Sequence, residues 1–275
     1  MRFASFAAQN RPSYGVVLDG GIVDLGPRLG DRYPDLRSVL AAGAIEDAAN
    51  IAEQRAPDFG LDEVIWLPTI PNPDKIFCAG VNYKSHLDES GLVGKSHPVL
   101  FPRYAATQVA HLQPLICPSE SDQFDYEGEL VVVIGRAGRR ISVEQALSHI
   151  AGYSIYNEGS VRDWQLHTSQ WTPGKNFAGT GGFGPWLVTA DEISNPGNLN
   201  LKISVNGEER QNSNTKYMIL GVPELIEFAS AFYTLHPGDV IMTGTPEGVS
   251  PIQPGDNILA TIEKIGSMEV KVRAA

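Results

Sequence analysis

Asp125-Tyr126-Glu127-Gly128-Glu129-Leu130-Val131-Val132-Val133-Ile134-Gly135 reads as a β-strand with carboxylates where it begins and an unbroken apolar run behind them. Side chains at i and i+2 of a strand share a face, so Glu127 and Glu129 converge, with Asp125 behind them. Aligned carboxylates repel one another and are costly to half-bury unless a proton or a cation sits among them. A hard divalent cation with oxygen ligands is the natural occupant. Gly128 presents no side chain to the opposite face, which invites a close approach there.

The rest of the chain reads as a protein built around such strands. Its 275 residues suit one large domain, or a large domain with a small appendage. The 28 glycines and 19 prolines fall in many short loops, which favours strands and turns over a helical bundle. A formal net charge of −11, with no Lys/Arg cluster beyond Arg136, Arg139 and Arg140, argues against nucleic-acid binding. Cys78 and Cys117 lack any CxxC spacing and read as buried thiols of a reducing compartment. No signal-peptide pattern opens the chain, and no apolar run reaches the ~18 residues of a membrane span. The expected protein is cytoplasmic, without a membrane partner.

Residues 1–70 read as a small N-terminal α/β module and 71–275 as the main domain. In the module, Arg2–Phe6 and Tyr14–Leu18 are short strands, Gly20-Gly21 a hairpin turn, and Leu36–Arg55 a helix by its periodicity. Pro68, Pro71 and Pro73 precede the buried strand Lys75–Gly80. The polar stretch Val81–Gly94 reads as a short helix or mobile loop, with Gly91 and Gly94 as hinges. Further strands are expected at Val99–Arg103, Gly152–Asn157 and Trp186–Thr189, and a hairpin from Leu201–Val205 through Asn206-Gly207. Ser142–Ala151 has the Ser…Gln pattern of a capped helix, and Pro223–Tyr233 that of a helix with proline in its first turn. The fold class that results is α+β, mostly β.

Three groups of residues carry chemistry. Glu158, at the end of the apolar stretch Ile150–Tyr156, can join Glu127 and Glu129 as a third metal-ligating carboxylate. Three carboxylates plus water suit Mg²⁺ or Mn²⁺, or the looser Ca²⁺; three separate surface acids are the alternative. His86 and Glu89, spaced i, i+3, form a dyad able to deprotonate water if they share a helical turn, or else are solvated loop residues. Lys175, in Gly174-Lys175-Asn176-Phe177, either faces a cavity and stabilises an oxyanion or is an ordinary surface lysine. Thr245, with the N–H groups of Gly244-Thr245-Pro246-Glu247-Gly248-Val249, can grip a carboxylate. Tyr83, Arg103, Gln108, Trp164 and Phe177 are the expected pocket walls, with Arg103 answering a second anionic group on a substrate.

Five motifs in order are similar to those of the fumarylacetoacetate hydrolase family. They are Val81-Asn82-Tyr83…His86…Glu89, Asp125–Leu130, Tyr156-Asn157-Glu158…Arg162-Asp163-Trp164-Gln165, Gly174–Phe177 and Pro237–Pro246, and the likeness spans about residues 73–273. The resemblance implies a mixed β-roll catalytic domain, usually homodimeric, with a divalent metal and a lid. It places Glu127, Glu129 and Glu158 on the metal, His86 and Glu89 in the lid dyad, Lys175 at the oxyanion and Thr245 at the substrate carboxylate. The activities it implies are hydrolysis, decarboxylation or isomerisation of 2-oxo and 2,4-dioxo acids, with C–C cleavage of an acylpyruvate-like acid the leading expectation. A catalytically impaired binder of organic acids is the rival. Glu158 departs from the family's usual Asp, and its extra methylene moves the carboxylate by about 1.5 Å, roughly one carbon–carbon bond.

Overall fold

Strand Gly128–Ile134 is buried at every position and lies inside an 11-stranded sheet, in a computed structural model that describes residues 1–90 and 98–275. One edge of the strand pairs antiparallel with Ile150–Glu158, the other with Val240–Met242. Ile76–Gly80 then runs parallel to Val240–Met242, and Val99–Pro102 closes that side of the sheet. On the other side Ile150–Glu158 pairs with Gly181–Thr189. Both faces of the central strands are covered, so their sequences are continuously apolar instead of alternating.

The two faces serve two cores, and strand periodicity sorts the residues between them. Leu130, Val132 and Ile134 pack with Leu201, Ile203, Ile258, Ala260 and Val270 of a second, 5-stranded sheet. Val131 and Val133 point the other way, to Phe3, Leu36, Val39 and Ala48. Each such side chain taken from water contributes roughly 1.5–3 kcal/mol. Glu127 and Glu129 share the odd-numbered face with Val131 and Val133. Gly128 is on the even face, where a Cβ would lie 2.6 Å from Ile203. The close approach expected at this glycine is therefore made by the second sheet.

The first 70 residues join the same sheet. Arg2–Ala8 pairs antiparallel with Gly181–Thr189 at Arg2↔Val188, and Arg11–Leu18 and Gly21–Asp24 continue outward from it. Phe3, Tyr14 and Val16 share a core with Ile76, Cys78 and Val131, so sheet and core run across the sequence boundary near residue 70.

Two local expectations need correction. The helix expected over Leu36–Arg55 is two, Leu36–Ala41 and Ile45–Glu53, because Gly43 takes φ +65° and ends the first as a left-handed C-terminal residue. The expected helix Ser142–Ala151 is a single turn, Val143–Ala146, followed by a 3₁₀ turn, and the strand Ile150–Glu158 takes over its last residues. Ser142 has N-cap geometry without the side-chain hydrogen bond, so little holds the helix against the claims of the sheet. Helix Val222–Phe232 does carry proline in its first turn. Lys84–Ser90 is helical, whereas the hinges expected at Gly91 and Gly94 lie outside the described residues. No helix among the described residues is long and apolar enough to cross a membrane.

Candidate active site

Strand register brings the acids together. Gly128 stands opposite Asn157 and Glu129 opposite Tyr156, so Glu127 meets Glu158 at the strand end, where the Glu158 N–H donates to the Glu127 carbonyl at 2.8 Å. Ligand oxygens of Glu127, Glu129 and Glu158 lie within 4.8 Å of one another, and all three residues are buried. The extra methylene of Glu158 does not remove it from the cluster.

Cations surround the acids on one side. Lys175 Nζ lies 3.1 and 3.0 Å from the two Glu127 oxygens and 3.0 Å from Glu158 Oε2. Helix Thr172–Lys175 ends on this lysine, which packs its ammonium 5.1 Å from the Phe101 ring centroid. Arg162, opening helix Arg162–Leu166, sits 2.6 Å from Asp125 and 2.6 Å from Glu127. Arg103 stands 3.7 Å from Glu158 Oε1 while donating to the Gly159 carbonyl and to Thr180 Oγ1.

Among the described residues, four carboxylates thus face three cations, and Glu129 is the acid without a salt bridge. Burial, and then the Glu158 and Glu127 charges, push its carboxyl well above the ordinary range, although the Gly244 N–H donates to it at 2.7 Å. Burial would raise Glu127 too, but Lys175 and Arg162 outweigh it and hold that carboxyl far below the usual value. Glu158 Oε1 is buried and has no hydrogen-bond partner among the described residues. An orphaned carboxylate oxygen and one acid in excess are what a divalent cation satisfies, so Glu127, Glu129 and Glu158 fit a metal.

These residues line a cavity of about 330 Å³. His86 and Glu89 enter it from helix Lys84–Ser90, with His86 Nδ1 3.2 Å from Glu89 Oε2. Glu89 also accepts from the Gly248 N–H at 3.2 and 3.3 Å. Two N–H groups of the 244–249 loop are thus engaged with the protein's own Glu129 and Glu89. Thr245 lines the cavity beside them. An apolar wall of Phe101, Leu166, Trp171 and Val249 completes it.

All five expected wall residues stand outside the lining. Tyr83 is fully buried, its hydroxyl without a partner among the described residues, and Gln108 accepts a hydrogen bond from the Tyr156 hydroxyl. Arg103 is buried behind Glu158, its guanidinium 3.7 Å from that carboxylate, and does not line the cavity. Trp164 and Phe177 pack on each other, with ring centroids 5.2 Å apart, and likewise stay out of the lining. Arg162, Gln165 and Trp171, none of them among the expected walls, do line it. The spacing of Arg162 and Gln165 was a usable signal: residues i and i+3 share a helical face, and the intervening Trp164 points away.

Comparison with known proteins places this geometry. Residues 75–273 match the family described as fumarylacetoacetate (FAA) hydrolase, C-terminal. The chain belongs to the fumarylacetoacetate hydrolase family. It is 36% identical over 286 residues to the mitochondrial oxaloacetate tautomerase of Xenopus laevis, covering 98% of this chain and 89% of that protein. It is 41% identical over 231 residues to a maleylpyruvate hydrolase of Aquipseudomonas alcaligenes, covering 80% and 79%. Among solved structures, the maleylpyruvate hydrolase of Sphingobium sp. SYK-6, in complex with manganese(II) and pyruvate, superposes with a TM-score of 0.84 at 31% identity over the full length of both chains. Members of this family with such names act on small organic acids as hydrolases, tautomerases and isomerases.

Proposed function

We propose that this chain is a metal-dependent hydrolase that cleaves the C–C bond of an acylpyruvate-like 2,4-dioxo acid, working as a cytoplasmic homodimer. The observation that carries the reading is the His86–Glu89 pair on the same cavity as the three-carboxylate cluster. The charge count adds to it. With all four acids ionised, as a bound divalent ion would favour, the described acids exceed the described cations by one charge; the ion would turn that into one positive charge, which suits a 2-oxo carboxylate. Mg²⁺ or Mn²⁺ held by Glu127, Glu129 and Glu158 would supply Lewis-acid polarisation of the 2-oxo group.

The remaining work falls to this chain's side chains. Thr245 meets the substrate carboxylate, and the acyl end rests on Phe101, Leu166, Trp171 and Val249. Glu89 holds Nδ1 of His86, which leaves Nε2 to take a proton from water as the oxygen adds to the distal carbonyl carbon. Lys175 faces the oxyanion that forms there. The bond between that carbon and the pyruvyl methylene then breaks, its electrons pass to the pyruvyl fragment as an enolate, and the His86 proton returns to its carbon. A carboxylic acid and pyruvate result.

A second reading, keto–enol tautomerisation of a 2-oxo acid, is favoured by the near full-length match to an oxaloacetate tautomerase. It uses the same acids and the same His86 proton transfer without an attacking water. One panel separates them: acetylpyruvate cleavage and oxaloacetate tautomerisation, each with Mn²⁺ and with EDTA. The hydrolase reading expects acetylpyruvate to be cleaved and EDTA to abolish cleavage. Turnover that survives EDTA, or tautomerisation with no cleavage, sinks it.

A further inference from the structure

We propose that Gln211 is a positioning residue that sets the carboxylate strand against the 244–249 loop, and through that loop aligns both Thr245 and the His86–Glu89 pair. Gln211 lies in the second sheet, on strand Glu208–Asn214, and is 1% exposed. Its Oε1 accepts from the Gly128 N–H at 2.9 Å, between the two metal-site glutamates. Its Nε2 donates to Thr245 Oγ1 at 2.9 Å and to the Pro246 and Glu247 carbonyls at 2.9 and 3.2 Å. An N–H can only donate and a backbone carbonyl can only accept, so the amide has one permitted orientation.

The backbone is shaped to aim this side chain. Ile203 pairs with Gln211 but Ser204 pairs with Glu209, which leaves Arg210 as the extra residue of a β-bulge. Bulges redirect the neighbouring side chain and are common beside active sites. The loop lies directly on the bulge: a Cβ at Gly248 would be 2.3 Å from the Arg210 carbonyl oxygen. The same Gly248 donates its N–H to Glu89. The path from acid strand to lid thus runs Gly128, Gln211, loop, Glu89, His86, with a hydrogen bond at each join between separate segments. A buried amide that merely filled space between two sheets would need partners, but not partners on the acid strand and on the loop that reaches the lid.

The choice of substrate assay rests on the proposed hydrolase reading; the exchange measurement does not. Hydrogen exchange of the metal-free protein is compared for wild type, Gln211→Met, Gln211→Glu and Ser230→Ala. Ser230 is an equally buried side chain on helix Val222–Phe232 that accepts from the Ile141 N–H. Gln211→Glu can keep the Gly128 bond while setting a carboxylate oxygen against the loop carbonyls, which gives a variant closer to the native sheet. Both Gln211 variants should exchange faster over 244–249 and 84–90, with Ser230→Ala unchanged in those segments. With Mn²⁺ and acetylpyruvate, kcat/KM should fall about 10- to 100-fold, since a displacement of about 1 Å costs that much, through both a higher KM and a lower kcat. Ser230→Ala should keep both constants at matched distance from its melting temperature. Unchanged exchange in both segments overturns the proposal, as does a kinetic loss shared equally by Ser230→Ala. If wild type does not cleave acetylpyruvate, the hydrolase reading fails while the exchange result still decides the role of Gln211.

Discussion

The floor of the cavity and its lid side use carboxylates in opposite ways. On the floor, Glu127, Glu129 and Glu158 are at most 3% exposed and are fixed by strand register, three cations and a backbone N–H. On the lid side, the Glu89 side chain is 41% exposed and holds His86 from a 7-residue helix, itself tied by the Gly248 N–H. Charges buried without full compensation create a standing demand for a cation. A buried His86 paired with a half-exposed carboxylate makes no such demand. On the proposed function the two halves divide the work: the floor would bind, and the His86–Glu89 side would move protons.

The largest effect should come from disturbing the floor. Lys175→Met removes the only ammonium shared by Glu127 and Glu158 among the described residues and leaves two buried acids short of a partner. Breaking a buried pair in this way costs about 3–5 kcal/mol, which chemical denaturation would read directly. Added Mn²⁺ should restore part of that stability, because ligand binding to the native state stabilises by mass action. A variant as stable as wild type without metal would mean that the buried acids do not need the Lys175 ammonium and are no more demanding than the half-exposed Glu89.

His86→Ala tests the other half. His86 is buried but among the described residues pairs only with the half-exposed Glu89, so the melting temperature should fall less than in Lys175→Met, while acetylpyruvate hydrolysis falls about 10²–10⁴-fold, the usual worth of a positioned acid–base group. Enolate chemistry that needs no activated water, such as oxaloacetate decarboxylation, should keep much of its rate. Equal loss of both reactions would assign His86 to binding instead of water activation.

How much of this was legible in the sequence follows the same division. The floor was readable because strand alternation is a short-range rule: Glu127, Gly128 and Glu129 fix their own faces whatever else the chain does. Glu158 required knowing which strand lies alongside, and only the motif order of a family resemblance supplied that. The pocket walls were the hard part. Arg103 looked like a substrate ligand because a cation near a strand end has no sequence mark that separates facing a cavity from backing a carboxylate. Trp171 and Gln211 could not be found locally, since each depends on a loop or sheet more than thirty residues away. The split of the Leu36–Arg55 helix was visible in Ala42-Gly43, where a glycine competes with an otherwise good helical period.

Glu89→Gln should give the smallest of these effects and sharpens the comparison most. The amide keeps an oxygen to accept from Gly248 or from His86, but it cannot do both as well as a carboxylate whose Oε2 is within reach of each. It also removes the negative charge that favours the protonated imidazole during water activation. A charge-assisted hydrogen bond is roughly twice as strong as a neutral one, so the loss in kcat should be about 10-fold. KM should stay nearly constant, because Glu89 holds the base and is not proposed to hold the substrate. If KM rises instead while kcat holds, the Gly248 tie matters more than the His86 tie. Glu89 would then act chiefly as the latch between lid helix and loop, with proton transfer left to His86 unaided.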